Sequence, residues 1–111
     1  MPHMVISYAK PVEKQLEIQK LVQKVWDAAD ESGLFTPEAI KARAFPVEHF
    51  VTANTDQLFI HVDAKLFIGR TDEQKQDMNK RIFDKIAALV SDDVAISVEA
   101  IDMDKTTYLK R

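Results

Sequence analysis

Residues 58–68 constrain the fold more than any other stretch of the chain. Leu58, Ile60, Val62, Ala64, Leu66 and Ile68 alternate with Phe59, His61, Asp63, Lys65 and Phe67. A period of two over eleven residues specifies a strand with one buried face and one mixed face. The mixed face, with His61, Asp63 and Lys65, has to meet solvent, a partner subunit or a polar site. Such a strand needs neighbours, and the rest of the chain provides them. His3 to Ala9 reads as a short strand, with Met4, Ile6 and Tyr8 on one side and Val5 on the other. Pro11 suits the first turn of a following helix, where its missing N–H costs nothing. Ile18, Leu21, Val22, Val25 and Ala29 then recur at helical spacing, and Gly33 is a natural stop. A second extended region runs from about Ile40 to Thr52, with Pro46 marking an edge strand or a bulge.

After the polar connector Ala53-Asn54-Thr55-Asp56 and the central strand, the pattern returns. Thr71 with Gln74 three residues later forms a capping box, and Met78, Ile82, Ile86, Leu89 and Val90 line one helix face. Val94, Ile96, Val98 and Ala100 lie on one side of a last strand. The order is strand, helix, strand, connector, strand, helix, strand. This predicts an α+β fold of repeated βαβ units, with right-handed crossovers, one four-stranded sheet and two helices on one face. At 111 residues the chain is a single domain, 1–111. The uncovered sheet face is expected to be too apolar for water, which makes oligomerisation the simplest remedy. The polar tail from Asp102 to Arg111 is expected to extend onto a neighbour.

Composition removes several function classes. The absence of cysteine excludes disulfides, thiolate nucleophiles and cysteine metal sites. Fifteen basic against eighteen acidic side chains, a net charge of −3, give no general reason to expect nucleic acid or a membrane surface as partner. No apolar stretch approaches the ~20 residues of a membrane helix. The first residues lack the basic and long apolar regions of a signal peptide. The expectation is a soluble, cytoplasmic protein. His3, His49 and His61 have no recognised metal spacing. His61-Val62-Asp63 places two ligand types on one strand face, which is a weak signal by itself. Trp26 reads as packing, and Phe59 and Phe67 as subunit contacts. No metal or organic cofactor is expected.

The opening Met1-Pro2-His3, the segment Gly33-Leu34-Phe35 leading to Ile40-Lys41-Ala42-Arg43, and Phe59-Ile60-His61-Val62 running on to Ile68-Gly69-Arg70 carry a resemblance. Together with the repeated βαβ order, they resemble the tautomerase superfamily, and within it the 5-carboxymethyl-2-hydroxymuconate delta-isomerase family. The pattern covers most of the chain, and the last dozen residues match least well. The resemblance implies two βαβ units related by a pseudo-twofold and a homotrimer. It also implies ketonisation of a small di- or tricarboxylic dienol in aromatic catabolism. Pro2, freed by removal of Met1, is then the catalytic general acid/base. Arg70, Lys41 and Arg43 are the candidate substrate-binding cations.

The chemistry of Pro2 is physically sound. A proline at the terminus is a secondary amine. An ordinary α-amino group titrates near pH ~8. Burial and nearby cations lower that value towards neutrality, where a base exchanges protons efficiently. In the pseudo-twofold arrangement the first and third strands lie antiparallel at the sheet centre, so Pro2 is expected near Arg70, and the helix start at Thr71 adds backbone donors. One departure concerns substrate: where the family pattern reads Ile-Arg-x-Arg, Lys41 stands at the first arginine position and Arg43 at the second. Lysine keeps the charge but loses planar bidentate recognition. Two other classes of function fit the same residues. One is a tautomerase of different range, acting on 2-hydroxydienoates or phenylpyruvate. The other is a non-catalytic oligomeric binding or scaffold protein, in which Pro2 merely leads into a strand and the cations are surface charges.

Overall fold

The computed structural model describes residues 1–53 and 55–111; Asn54, within the expected polar connector, lies outside the described residues. The strands are β1 (His3–Ala9), β2 (Lys41–Val47), β3 (Phe59–Phe67) and β4 (Ala95–Met103), and the α-helices are α1 (Ile18–Glu31) and α2 (Asp72–Ala87). The sheet order is β2-β1-β3-β4. β1 runs parallel to β2 and antiparallel to β3, and β3 runs parallel to β4. This is the doubled βαβ arrangement, with its two halves joined through the central antiparallel pair.

Alternation decides which faces are covered. Met4, Ile6, Ile60, Val62, Ala64 and Leu66 are buried beneath the helices. α1 closes over them with Leu21, Val25, Ala28 and Ala29, and α2 with Met78, Ile82 and Ile86. α1 packs on β1 and β2, α2 packs on β4, and the two helices pack on each other. Gly33, at φ +74°, follows the last turn of α1 in the left-handed conformation that glycine adopts most cheaply. The capping box is formed: the Thr71 hydroxyl accepts from Gln74 N–H, and the Gln74 side chain accepts from Thr71 N–H. Pro46 falls on edge strand β2, opposite Tyr8, where its missing donor costs no ladder bond.

Three expectations are corrected. Pro11 does not open α1. It sits in a separate 3₁₀ turn, Lys10–Lys14, which plugs the core with Val12 before α1 begins at Ile18. A proline tolerates the first turn of either helix type, so its presence does not say which will follow. The extended region ends at Val47 rather than at Thr52. The helix-free face is not predominantly apolar. His3, Lys41, Arg43, His61, Asp63, Lys65, Ser97 and Glu99 share it with Val5, Phe59, Phe67 and Ile101, through the in-register pairs His3/Lys41, Val5/Arg43, His61/Ser97 and Asp63/Glu99. The long polar side chains leave most β1 and β3 residues on this face half-buried.

Candidate active site

Pro2 is buried at the head of β1, and its carbonyl accepts the Lys41 N–H at 3.0 Å. This bond starts the β1/β2 ladder, so the amino terminus is fixed by sheet pairing. Because His3 pairs with Lys65, Pro2 enters beside the end of β3, next to buried Leu66. Beyond that end, Gly69 takes φ +124° and turns the chain to deliver Arg70 ahead of α2. The Arg70 guanidinium donates to the Leu34 carbonyl at 2.6 Å and lies 6.0 Å from the centre of the Phe35 ring. Trp26, in α1, donates to the Ile40 carbonyl at 3.2 Å, which holds the segment leading to Lys41 against the helix. Pro2, Lys41, Arg43 and Arg70 therefore belong to one end of the sheet, although their side chains do not share a face. Lys41 and Arg43 lie on the helix-free side, while Pro2 keeps the parity of buried Met4 and Ile6 and Arg70 is held by Leu34 and Phe35.

Arg43 and Lys41 have specific partners. Arg43 Nη1 lies 3.1 Å from His3 Nδ1, and His3 Nε2 lies 2.8 Å from the Tyr108 hydroxyl. A guanidinium only donates, so Nδ1 is an acceptor and the imidazole proton resides on Nε2, which donates to Tyr108. The His3 pKa lies below the ordinary imidazole value, lowered first by burial and then by Arg43, the amino terminus, Lys65 and Lys41. Lys41 Nζ reaches the Glu38 carbonyl at 3.5 Å. The amino terminus itself is depressed below the ordinary α-amino range, chiefly by burial and then by Lys110 and Lys105. These tail residues, with Tyr108, carry no periodic pattern, and only their positive charge marks them in the sequence. The α2 start is a weaker anion site than expected. Its capping box already engages Gln74 N–H, and Asp72 and Glu73 in the first turn compensate the helix dipole.

Away from this end, His61 Nε2 lies 2.8 Å from Asp63 Oδ1, and Nδ1 lies 2.6 Å from Ser97 Oγ. Glu99 comes alongside from β4, so the ligand atoms of His61, Asp63 and Glu99 lie within 4.8 Å of one another. The pairing of β3 with β4 adds Glu99, which local spacing does not reveal. Both imidazole nitrogens are engaged within this polar chain. A depression of about 450 Å³ between Lys10, Glu13, His49 and Phe50 opens at the opposite end of the sheet from Pro2. At the Pro2 end, one of about 230 Å³ lies between Ile68, Asp102, Met103 and Asp104. No helix among the described residues is long and apolar enough to cross a membrane.

The four-stranded mixed sheet with two helices on one face defines a tautomerase-like βαβ protein. Among solved structures, one of 5-carboxymethyl-2-hydroxymuconate delta-isomerase superposes with a TM-score of 0.85 at 19% identity, covering 100% of this chain and 87% of the other. A 5-carboxymethyl-2-hydroxymuconate isomerase from Deinococcus radiodurans R1 gives 0.83 at 20% identity, covering 99% and 88%. A fused 4-OT asymmetric trimer gives 0.75 at 19% identity, covering 97% and 91%. At these identities the likeness is one of fold. No curated protein sequence matches the chain. The family model for 5-carboxymethyl-2-hydroxymuconate isomerase matches residues 2–111. The chain belongs to that family, and it is an isomerase of the tautomerase type.

Proposed function

We propose that the chain ketonises a small dienol bearing two or more carboxylates, such as 5-carboxymethyl-2-hydroxymuconate, with the free amine of Pro2 as general acid/base. The observation that carries this reading is that Pro2 is buried at the head of β1, at the end of the sheet where the Met1 amine is depressed by burial and then by Lys110 and Lys105. Loss of Met1 moves the amine one residue inward, towards that buried position. In the reaction the amine accepts the enol O–H proton, the C=C electrons shift as C=O forms, and the resulting ammonium delivers a proton to carbon. Atoms and charge balance with no external reagent. Arg70 anchors one carboxylate, with Lys41 and Arg43 as further cations. The solved fused 4-OT relatives are trimers. A homotrimer is the assembly we assign to this chain too. Among the described residues its two edge strands, β2 and β4, have no second neighbour, and Phe45 on β2 is 53% exposed.

The intact mass of the native protein is expected to lack one methionine, and that protein is expected to convert 5-carboxymethyl-2-hydroxymuconate in an ultraviolet assay. Retained Met1, or no conversion by the processed protein, would sink the reading. Arg70→Ala is expected to raise KM at least about tenfold, since a hydrogen bond to a charged group is worth roughly 1.5–3 kcal/mol. Thermal melting separates this from loss of the Leu34 tie. An unchanged KM would remove Arg70 from substrate binding.

A further inference from the structure

The helix-free face carries a second polar cluster, on β3 and β4 and away from Pro2. In the β3/β4 register His61 pairs with Ser97, and Asp63 with Glu99. Residues two apart on a strand share a face, and neighbouring strands lie about 4.8 Å apart. The ladder therefore gathers His61, Asp63, Ser97 and Glu99 into one square of the sheet. His61 Nε2 lies 2.8 Å from Asp63 Oδ1. One donor atom from each of His61, Asp63 and Glu99 falls within 4.8 Å of the others. The pair His61-Val62-Asp63, a weak signal by local spacing, gains its third ligand from β4.

Two further observations point to a cation here. Asp63 and Glu99 are like charges set directly opposite each other, an arrangement that destabilises a sheet. Among the described residues, His61 is the sole ion-pair partner of Asp63, Glu99 has none, and Lys65, next on the same face of β3, pairs with neither carboxylate. The imidazole is also held in position. Its Nδ1 lies 2.6 Å from Ser97 Oγ, which fixes the ring and aims Nε2 towards the carboxylates. A histidine that binds a metal uses one nitrogen while a hydrogen bond at the other orients it. The His61 and Asp63 side chains are 37% and 33% exposed, so an ion can enter from solvent although part of their hydration is already lost.

We propose that His61 Nε2, Asp63 and Glu99 bind a divalent transition metal, with Ser97 orienting the imidazole. One imidazole with two carboxylates is a donor set that suits zinc, and three protein ligands leave a fourth position for water. Donors about 2.1 Å from a tetrahedral ion lie roughly 3.4 Å apart. The His61–Asp63 pair opens slightly to reach that spacing, and exposed Glu99 closes by side-chain rotation while the strands stay in register. The cation takes the place of the proton between Nε2 and Asp63 and releases it to water, so affinity falls as the pH falls. Such an ion staples central β3 to edge strand β4. The site is built apart from Pro2, and the inference does not rest on the proposed function.

The test titrates zinc chloride into the untagged full chain, first stripped of metal with a chelator, by calorimetry and thermal melting. The wild type is expected to bind one zinc per chain with micromolar or tighter affinity and to melt higher in its presence. Even an outer partner of a metal ligand is worth about 10–100-fold in affinity, so S97A is expected to bind about tenfold more weakly, and H61Q, D63N and E99Q more weakly still. Without zinc, E99Q removes one of two opposed charges and is expected to melt no lower than the wild type, which separates a lost ligand from a lost fold. H49Q, at the other end of the sheet, is expected to leave zinc binding unchanged. No zinc binding by the wild type, E99Q or H61Q binding as tightly as the wild type, or a loss of binding in H49Q would overturn the proposal.

Discussion

Pro2→Ala is expected to lower turnover of the dienol by roughly 10²-fold or more, in keeping with the 10²–10⁴ that a positioned general acid/base contributes. Alanine at position 2 still leaves an amine after Met1 is removed, so the expected loss comes from positioning. In the wild type the Pro2 carbonyl is bonded to Lys41 N–H, and the pyrrolidine ring blocks rotation about N–Cα, which fixes the direction of the nitrogen lone pair. The acyclic α-amine of an amino-terminal alanine rotates about N–Cα and loses that direction. The pH profile gives a second readout. Burial, Lys110 and Lys105 all disfavour the protonated form of the Met1 amine; Pro2 lies one residue further inward and is buried, so once Met1 is removed the acid limb of kcat/KM is expected below the ordinary α-amino value. Activity is lost as the pH falls through that limb, because the base becomes protonated. Equal rates for Pro2→Ala and wild type, measured by stopped-flow or steady-state ultraviolet absorbance, would remove Pro2 from the chemistry.

Leu66→Ala is the substitution expected to damage the fold most while bearing directly on the site. Leu66 is 1% exposed and lies at the end of central strand β3, where Pro2 enters alongside. Truncation of a fully buried leucine costs about 2–5 kcal/mol, from lost transfer energy and the cavity left behind. That is a large share of the stability of a domain this size. Chemical denaturation should show the midpoint falling without a change in slope. A loss below about 1 kcal/mol would mean the site collapses to fill the space, against the close packing expected of a sheet–helix core. The cavity would also open beside the buried face of Pro2, so residual activity should fall further than stability alone explains.

The residues that set the architecture were legible because their signals are local. The alternation through Ile60, Val62, Ala64 and Leu66 marks β3, the Thr71/Gln74 pair marks the start of α2, and Gly33 marks the end of α1. Pro11 misled because its backbone constraint suits a 3₁₀ turn as well as an α-helix. The expectation of an apolar second sheet face failed because it took hydrophobicity strand by strand. Pairing brings His61 to Ser97, Asp63 to Glu99 and Val5 to Arg43, and so collects the polar positions of all four strands on one surface. The proline and the four-strand order point to the amino terminus as the place for chemistry, but nothing in the spacing of Lys105, Tyr108 and Lys110 ties them to it.

Local patterns in the chain are enough to set the order of strands and helices and the buried side of β1, β3, α1 and α2, and they put Pro2 directly before β1. Those are consequences of backbone geometry and side-chain periodicity acting over a few residues. That His3 sits between Arg43 and Tyr108, that Arg70 is tied to Leu34, and that the tail returns to the amino terminus emerges from the folded chain alone. These contacts join residues 36 to 105 positions apart. Closing such loops costs entropy that no local pattern encodes, and packing of the whole sheet and its helices must repay it before the contacts can form.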